Sequence, residues 1–171
     1  MRWMTTLLEI CLLRAGPQAL PASTSVLALC LLGYGVVDLA AAASSTGLGT
    51  AAGVTLFDLA MMVVFVRLLL RLGRRPQRWL QTLSAMAGSG ALLGLLALPP
   101  LYRLSRVASP ADLSAGMNLF WIALFVWGLV VLGHILRHAL SARFHTGLGL
   151  AILYSFLNIY LAQLWFTPAG T

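Results

Sequence analysis

Two carboxylates, Asp38 and Asp58, are the residues of this 171-residue chain best placed to do chemistry, because each lies inside a long apolar stretch. A carboxylate within a bilayer is costly unless it is paired or hydrated, so it marks a functional position by default. Asp38 falls about five residues before the end of one apolar run, and Asp58 about four residues after the start of the next. A hairpin of the two runs brings both side chains to similar depth. Two carboxylates at one depth can bind a cation or share a proton. A purely structural reading stands beside this one. Thr55-Leu56-Phe57-Asp58 fits a variant of the capping box, with Asp58 at the third helical position near a positive helix N-terminus. Asp38 would then approach the membrane surface, or pair with Arg103 or Arg106.

Three other groups of residues have suggestive spacing. His134 and His138 are four apart, so they share a helix face, and His145 follows. That spacing suits a metal, but a site needs three or four ligands and no Glu, Asp or Cys lies close in sequence. Interfacial histidines bonding backbone or headgroups are the simpler expectation. Arg67, Arg71, Arg74, Arg75 and Arg78 precede Trp79. Such a cluster attracts anionic headgroups at roughly 1 kcal/mol per charge. It can also receive an acidic partner, or merely snorkel and set topology. Arg71, Arg74, Arg75 and Arg78 are the candidates for lipid or partner contact. Finally, Ser84 and Gly88, Ala87 and Ala91, and Gly90 and Gly94 repeat a small-xxx-small spacing, as do Gly147 and Ala151. These faces let helices approach closely, within the bundle or against another protein. Ser84, Gly88, Gly90 and Gly94 are the candidate helix-packing residues. Asn118 and Asn158 are single amides suited to interhelical hydrogen bonds. Cys11 and Cys30 read as buried free thiols.

The elements that must hold these residues follow from composition. Apolar residues make up 60% of the chain and charged residues 9%, with a mean hydropathy of +0.93. A soluble domain carries roughly 25% charged residues. The excess apolar surface calls for a bilayer. Five apolar runs, over about 24–43, 54–72, 80–98, 116–136 and 147–166, are each long enough to cross one. Runs this long without alternation do not suit a barrel. The expectation is an all-α integral membrane bundle of five transmembrane helices forming a single domain. Residues 1–15 form an additional amphipathic interfacial helix, with Arg2, Thr5, Thr6 and Glu9 on its polar side. Gly16-Pro17 ends it.

The net charge of +7 comes from eleven Arg and no Lys. Laid along the five runs, nine Arg fall on the side of the N-terminus and only Arg103 and Arg106 opposite. This segregation indicates a cytoplasmic N-terminus and a periplasmic C-terminus. It also removes nucleic acid as a partner, since the charge belongs to a membrane face. The Arg-only usage with abundant Ala, Leu and Gly suggests a GC-rich bacterial gene, and hence the inner membrane.

In architecture the chain resembles the Yip-like membrane proteins. Residues 13–21 (LRAGPQALP), leading from the surface helix into the first span, carry the likeness locally. The resemblance implies five packed spans with a cytoplasmic N-terminus and an outside C-terminus. It carries over no functional residue. The sequence holds no Ser/His/Asp arrangement, no phosphate-binding glycine loop and no paired Glu, and its loops are short. The expectation is a non-enzymatic protein without cofactor or metal. It would be an accessory, assembly or scaffold subunit touching lipid and a membrane-protein partner or second copy. The rival expectation is a small transporter or channel using Asp38 and Asp58.

Overall fold

The computed structural model describes residues 2–104 and 115–166. Arg106 and the end of the chain, both used in the topology reading above, lie outside the described residues. Six α-helices follow one another: α1 (Arg2–Cys11), α2 (Thr24–Ala43), α3 (Leu48–Leu72), α4 (Trp79–Leu104), α5 (Ala115–Leu140) and α6 (Phe144–Phe166). Short 3-10 turns at Pro17–Ala19 and Pro76–Arg78 precede α2 and α4. The last five helices are long and apolar enough to cross a membrane. The protein is thus an all-α, multi-pass membrane bundle.

Several helix bounds depart from the sequence expectation: α1 closes at Cys11 rather than at Gly16-Pro17, α5 runs on to Leu140 and α6 begins at Phe144, and two bounds shift by six residues. α3 begins at Leu48, six residues before the expected start. The intervening Gly49-Thr50-Ala51-Ala52-Gly53 segment is small rather than loop-forming, and Ala51 is fully buried, so packing extends the helix. α4 runs through Pro99 and Pro100 to Leu104. Each proline removes an N–H bond and its ring crowds the carbonyl four residues back, and membrane helices tolerate this where the freed groups find other partners.

α4 is the axis of the bundle. Eight consecutive residues, Thr82 to Ser89, are all buried, because α1, α2, α3 and α5 surround this stretch. Small side chains, among them Ser84, Ala85, Ala87 and Gly88, let neighbouring helices approach this stretch closely, and Leu83 and Met86 are buried with them. The most extensive pairings are α2 with α4 and α5 with α6. The second rests on Gly147. A methyl at Gly147 would run into the Gly133 carbonyl and stand 2.8 Å from the Arg137 nitrogen, so only glycine lets the two backbones touch. Around this core the outward faces are apolar, with Leu32, Val36, Leu56, Leu119, Ile122, Phe156 and Leu164 among the exposed residues. In water this would be an aggregating surface; in lipid it is the solvated one.

α1 is amphipathic, as its pattern predicts. Its docked face is Leu7, Ile10 and Cys11, and Arg2, Thr5 and Glu9 are exposed. Leu7 lies over Gly88 beside Cys30. Met4, Leu8 and Leu12 form an exposed apolar edge beside the polar face. The linker after α1 is tied to the bundle by side chains. Gln18 Nε2 donates to the His138 carbonyl at 2.6 Å, and Gln81 Nε2 donates to the Leu20 carbonyl at 2.8 Å.

The helix ends at this face share one device. Leu13, Arg74 and Ser141 have positive φ. The following N–H groups donate back to the carbonyls of Glu9, Leu70 and Arg137, each at 2.8 Å. These are Schellman closures of α1, α3 and α5, with a non-glycine residue in the left-handed position. Arg78 adds to the third. Its Nη1 donates to the His138 and Ala139 carbonyls at 3.0 and 3.1 Å, placing a cation on the negative end of α5.

The α5–α6 contact yields a direct test. Gly147→Ala should destabilise the bundle by about 1–3 kcal/mol through overpacking. Gly149→Ala, where nothing lies within 4 Å, should be neutral. Unfolding by denaturing detergent checks the pair.

Candidate functional site

The bundle-facing stripe of α3 is Ala51, Thr55, Asp58, Met62, Val66 and Leu70. Its spacing is that of one helix face. Asp58 therefore sits in the middle of an apolar seam and retains only 9% exposure. Because α3 starts at Leu48, Asp58 lies ten residues into the helix, about 15 Å along its axis. The capping reading of Thr55 and Asp58 is thereby overturned: the N-cap is Gly47, and neither residue is near the helix end.

Each oxygen of Asp58 has a donor from a different helix. Tyr34 of α2 donates its hydroxyl to Oδ2, and Asn158 of α6 donates its amide to Oδ1. Asp38, one turn beyond Tyr34, accepts from Thr55 Oγ1 at 2.8 Å. The α2–α3 pairing is thus crossed. Tyr34 and Asp38 on one helix meet Asp58 and Thr55 on the other. The partner of Asp38 is Thr55, not the expected Arg103; Arg106 lies outside the described residues. The donors to both carboxylates are uncharged. Beside Asp58 is a partly open, largely apolar cavity of about 280 Å³ whose polar lining includes Tyr34, Asp58, Ser89, Tyr154 and Asn158; Asp38 does not line it. Tyr154 is held by Phe65, with ring centroids 4.8 Å apart.

Gly90 makes room for this arrangement. A Cβ there would stand 2.7 Å from the Tyr34 ring, so the absence of a side chain lets the ring cross α4 to reach Asp58. The other candidate packing residues also face inward. Ser84 is fully buried, Gly88 meets Leu7, and Gly94 meets Val37, whose Cγ1 would be 2.7 Å from an added Cβ. The stripe therefore serves α1 and α2 of the same chain.

The arginine cluster divides. Arg75 and Arg78 turn toward the end of α5, where both bond the Ser141 hydroxyl. Arg71 and Arg74 are exposed. The histidines do not converge on a ligand position. His134 Nε2 bonds the Ala15 carbonyl at 3.0 Å, and its ring lies against His138 with centroids 4.6 Å apart. His145 is exposed at the start of α6. Among the described residues no group of three or more His, Cys, Asp or Glu gathers. Cys11 is buried, which pushes its thiol up to about 11 and keeps it protonated at neutral pH.

Sequence spacing singled out the two carboxylates but not most of their partners. The donor Tyr34 and the cavity-lining Ser89 are not among the residues that the sequence patterns single out, Tyr154 reads only as a belt or packing residue, and Asn158 only as a generic helix-pairing amide. The available signal was the i, i+4 spacing of Tyr34 with Asp38 and of Tyr154 with Asn158. No protein-family model, no curated protein and no solved structure matches this chain.

Two uncharged donors on one carboxylate should each be worth about 1.5–3 kcal/mol. Tyr34→Phe and Asn158→Leu are each expected to destabilise the bundle by roughly that amount. Either combined with Asp58→Asn should depart from additivity by about 0.5–3 kcal/mol. A double-mutant cycle on detergent unfolding reads the coupling.

Proposed function

We propose that the protein is a small membrane transporter or channel moving protons or a small cation, with Asp58 and Asp38 as the binding centre. The observation that carries this reading is Asp58 itself. It is a buried carboxylate ten residues inside a membrane helix, held by donors from two other helices beside a cavity of about 280 Å³. Neutral donors orient a carboxylate without cancelling its charge. A centre of this kind is completed by a proton or a cation that comes and goes. The proposed process involves no covalent chemistry, so the protein is not proposed as an enzyme.

Its setting is proposed from charge. Arg14, Arg67, Arg71, Arg74, Arg75, Arg78, Arg137 and Arg143 all belong to loops or helix ends on the α3–α4 connection side, and Arg103 belongs to the other. The positive-inside rule supports a bacterial inner-membrane protein with its N-terminus in the cytoplasm and its C-terminus in the periplasm. The resemblance to Yip-like proteins is retained as a proposal, supported by the order of one N-terminal helix and five spans.

The second reading is an accessory or scaffold subunit that acts through a membrane-protein partner or a second copy. The lipid-facing ridge of Leu119, Ile122, Phe125 and Val126 on α5 is a surface such a partner would cover. The inward-facing glycine stripe does not contribute to that surface. Gly90→Leu should thus disrupt the fold of the single chain rather than only an assembly.

Reconstitution with a trapped pH indicator separates the two. Wild-type vesicles should relax an imposed pH or cation gradient, and Asp58→Asn should fall to the rate of protein-free vesicles. Asp38→Asn should be slowed. Gly149→Ala should match wild type. Wild-type flux no faster than that of empty vesicles, for protons, sodium and potassium alike, removes the transport reading.

A further inference from the structure

The run of five arginines before Trp79 is one charge block in sequence but two in space. Arg75 and Arg78 are committed to the chain itself. Their guanidinium groups bond Ser141, and Arg78 also closes the last carbonyls of α5. Arg67 and Arg71 have a different environment. They are one turn apart on α3, and both are exposed. The Arg67 guanidinium lies over the Trp79 ring, 4.9 Å from its centroid. Stacking of this kind fixes the plane of the guanidinium while leaving its edge donors free to bind a planar or tetrahedral anion.

Between these residues is a cavity of about 290 Å³ lined by Arg67, Leu70, Arg71, Pro76 and Trp79. Its composition is graded. Leu70 is buried at 1% exposure and forms an apolar floor, Pro76 and Trp79 supply walls, and two cations stand at the rim. The described carboxylates are Glu9 on α1 and Asp38 and Asp58 in the centre described above, so none lies on α4 or at this end of α3. Trp79 opens α4 and Arg67 lies in the last two turns of α3, which places the cavity at a membrane surface. A cationic rim over an apolar floor at that depth complements a phosphodiester whose glycerol and acyl chains continue into the hydrocarbon.

We propose that Arg67, Arg71 and Trp79 form a binding site for the phosphodiester headgroup of an anionic membrane phospholipid. The site depends on the chain lying in a membrane and is independent of the carboxylate centre. Arg67 and Arg71 donate to the phosphate oxygens, and Trp79 holds Arg67 in orientation. Arg74 adds only diffuse charge, and Arg75 and Arg78 take no part.

Native mass spectrometry of the full chain from mild detergent tests this with equal additions of phosphatidylglycerol and phosphatidylcholine. Wild type should retain phosphatidylglycerol in preference, and Arg67→Gln/Arg71→Gln should lower that retention by roughly 30-fold, the loss expected for two surface charges. Arg74→Gln, which removes only diffuse charge, should lose clearly less than Arg71→Gln. Should the double variant fail to fold, Arg71→Gln alone, on an exposed side chain, carries the same comparison with a smaller loss. Equal retention of the two lipids by wild type overturns the proposal. So does an Arg74→Gln loss as large as that of Arg71→Gln alone, which would mean diffuse attraction. Displacement of the lipid by millimolar inorganic phosphate would identify a free-anion site and also overturn it.

Discussion

A carboxylate inside hydrocarbon has no water to turn to, so its donors must come from the protein. The cost of placing Asp at mid-membrane is about 3 kcal/mol on insertion scales. Hydrogen bonds to a charged group return about 1.5–3 kcal/mol each. Two such bonds, from Tyr34 and Asn158, are thus enough to hold Asp58 in the seam. They come from α2 and α6, so satisfying one side chain requires three spans in register. The crossed bond from Thr55 to Asp38 fixes the α2–α3 register a second time. The bundle is in this sense assembled around its least compatible residues.

The small residues of α4 and α6 follow from that requirement. Tyr34 reaches Asp58 only because Gly90 leaves the face of α4 bare, and α1 docks only because Gly88 does the same for Leu7. Gly147 brings α6 against α5, and α6 carries Asn158 to the centre. Stripes of small residues in membrane helices are often taken as marks of association between chains. Here they serve the interior of one chain. At the arginine-bearing face, ordering is polar instead. Gln18, Gln81, His134 and Arg78 tie the N-terminal linker and the end of α5 together through backbone carbonyls.

Fold class was legible because hydropathy and span length depend on composition alone. The five helices and the amphipathic α1 follow from it. Helix ends were less legible. The start of α3 was misplaced because Gly, Ala and Thr are loop-compatible in isolation, whereas burial of Ala51 decides the matter in three dimensions. That one shift changed the meaning of Asp58 from a cap to a mid-membrane group. Asp38 and Asp58 stood out because charge is rare in such a chain. Their partners did not, since Tyr and Asn are common in membrane helices and become a cage only once α2, α3 and α6 are aligned. The division of the arginine run was equally hidden, because nothing local says that Arg78 reaches α5.

The central claim is that Asp58 exchanges a proton or cation with water while buried in the bundle. Mapping of carbodiimide labelling by mass spectrometry addresses it most directly, because an apolar carbodiimide enters the bilayer and forms a stable acylurea with a protonated carboxyl group. The account predicts an adduct on Asp58 whose yield falls as pH rises and as sodium or potassium is added. A protein that shows no adduct on Asp58 at any pH, or one whose yield is indifferent to both pH and cations, would contradict it.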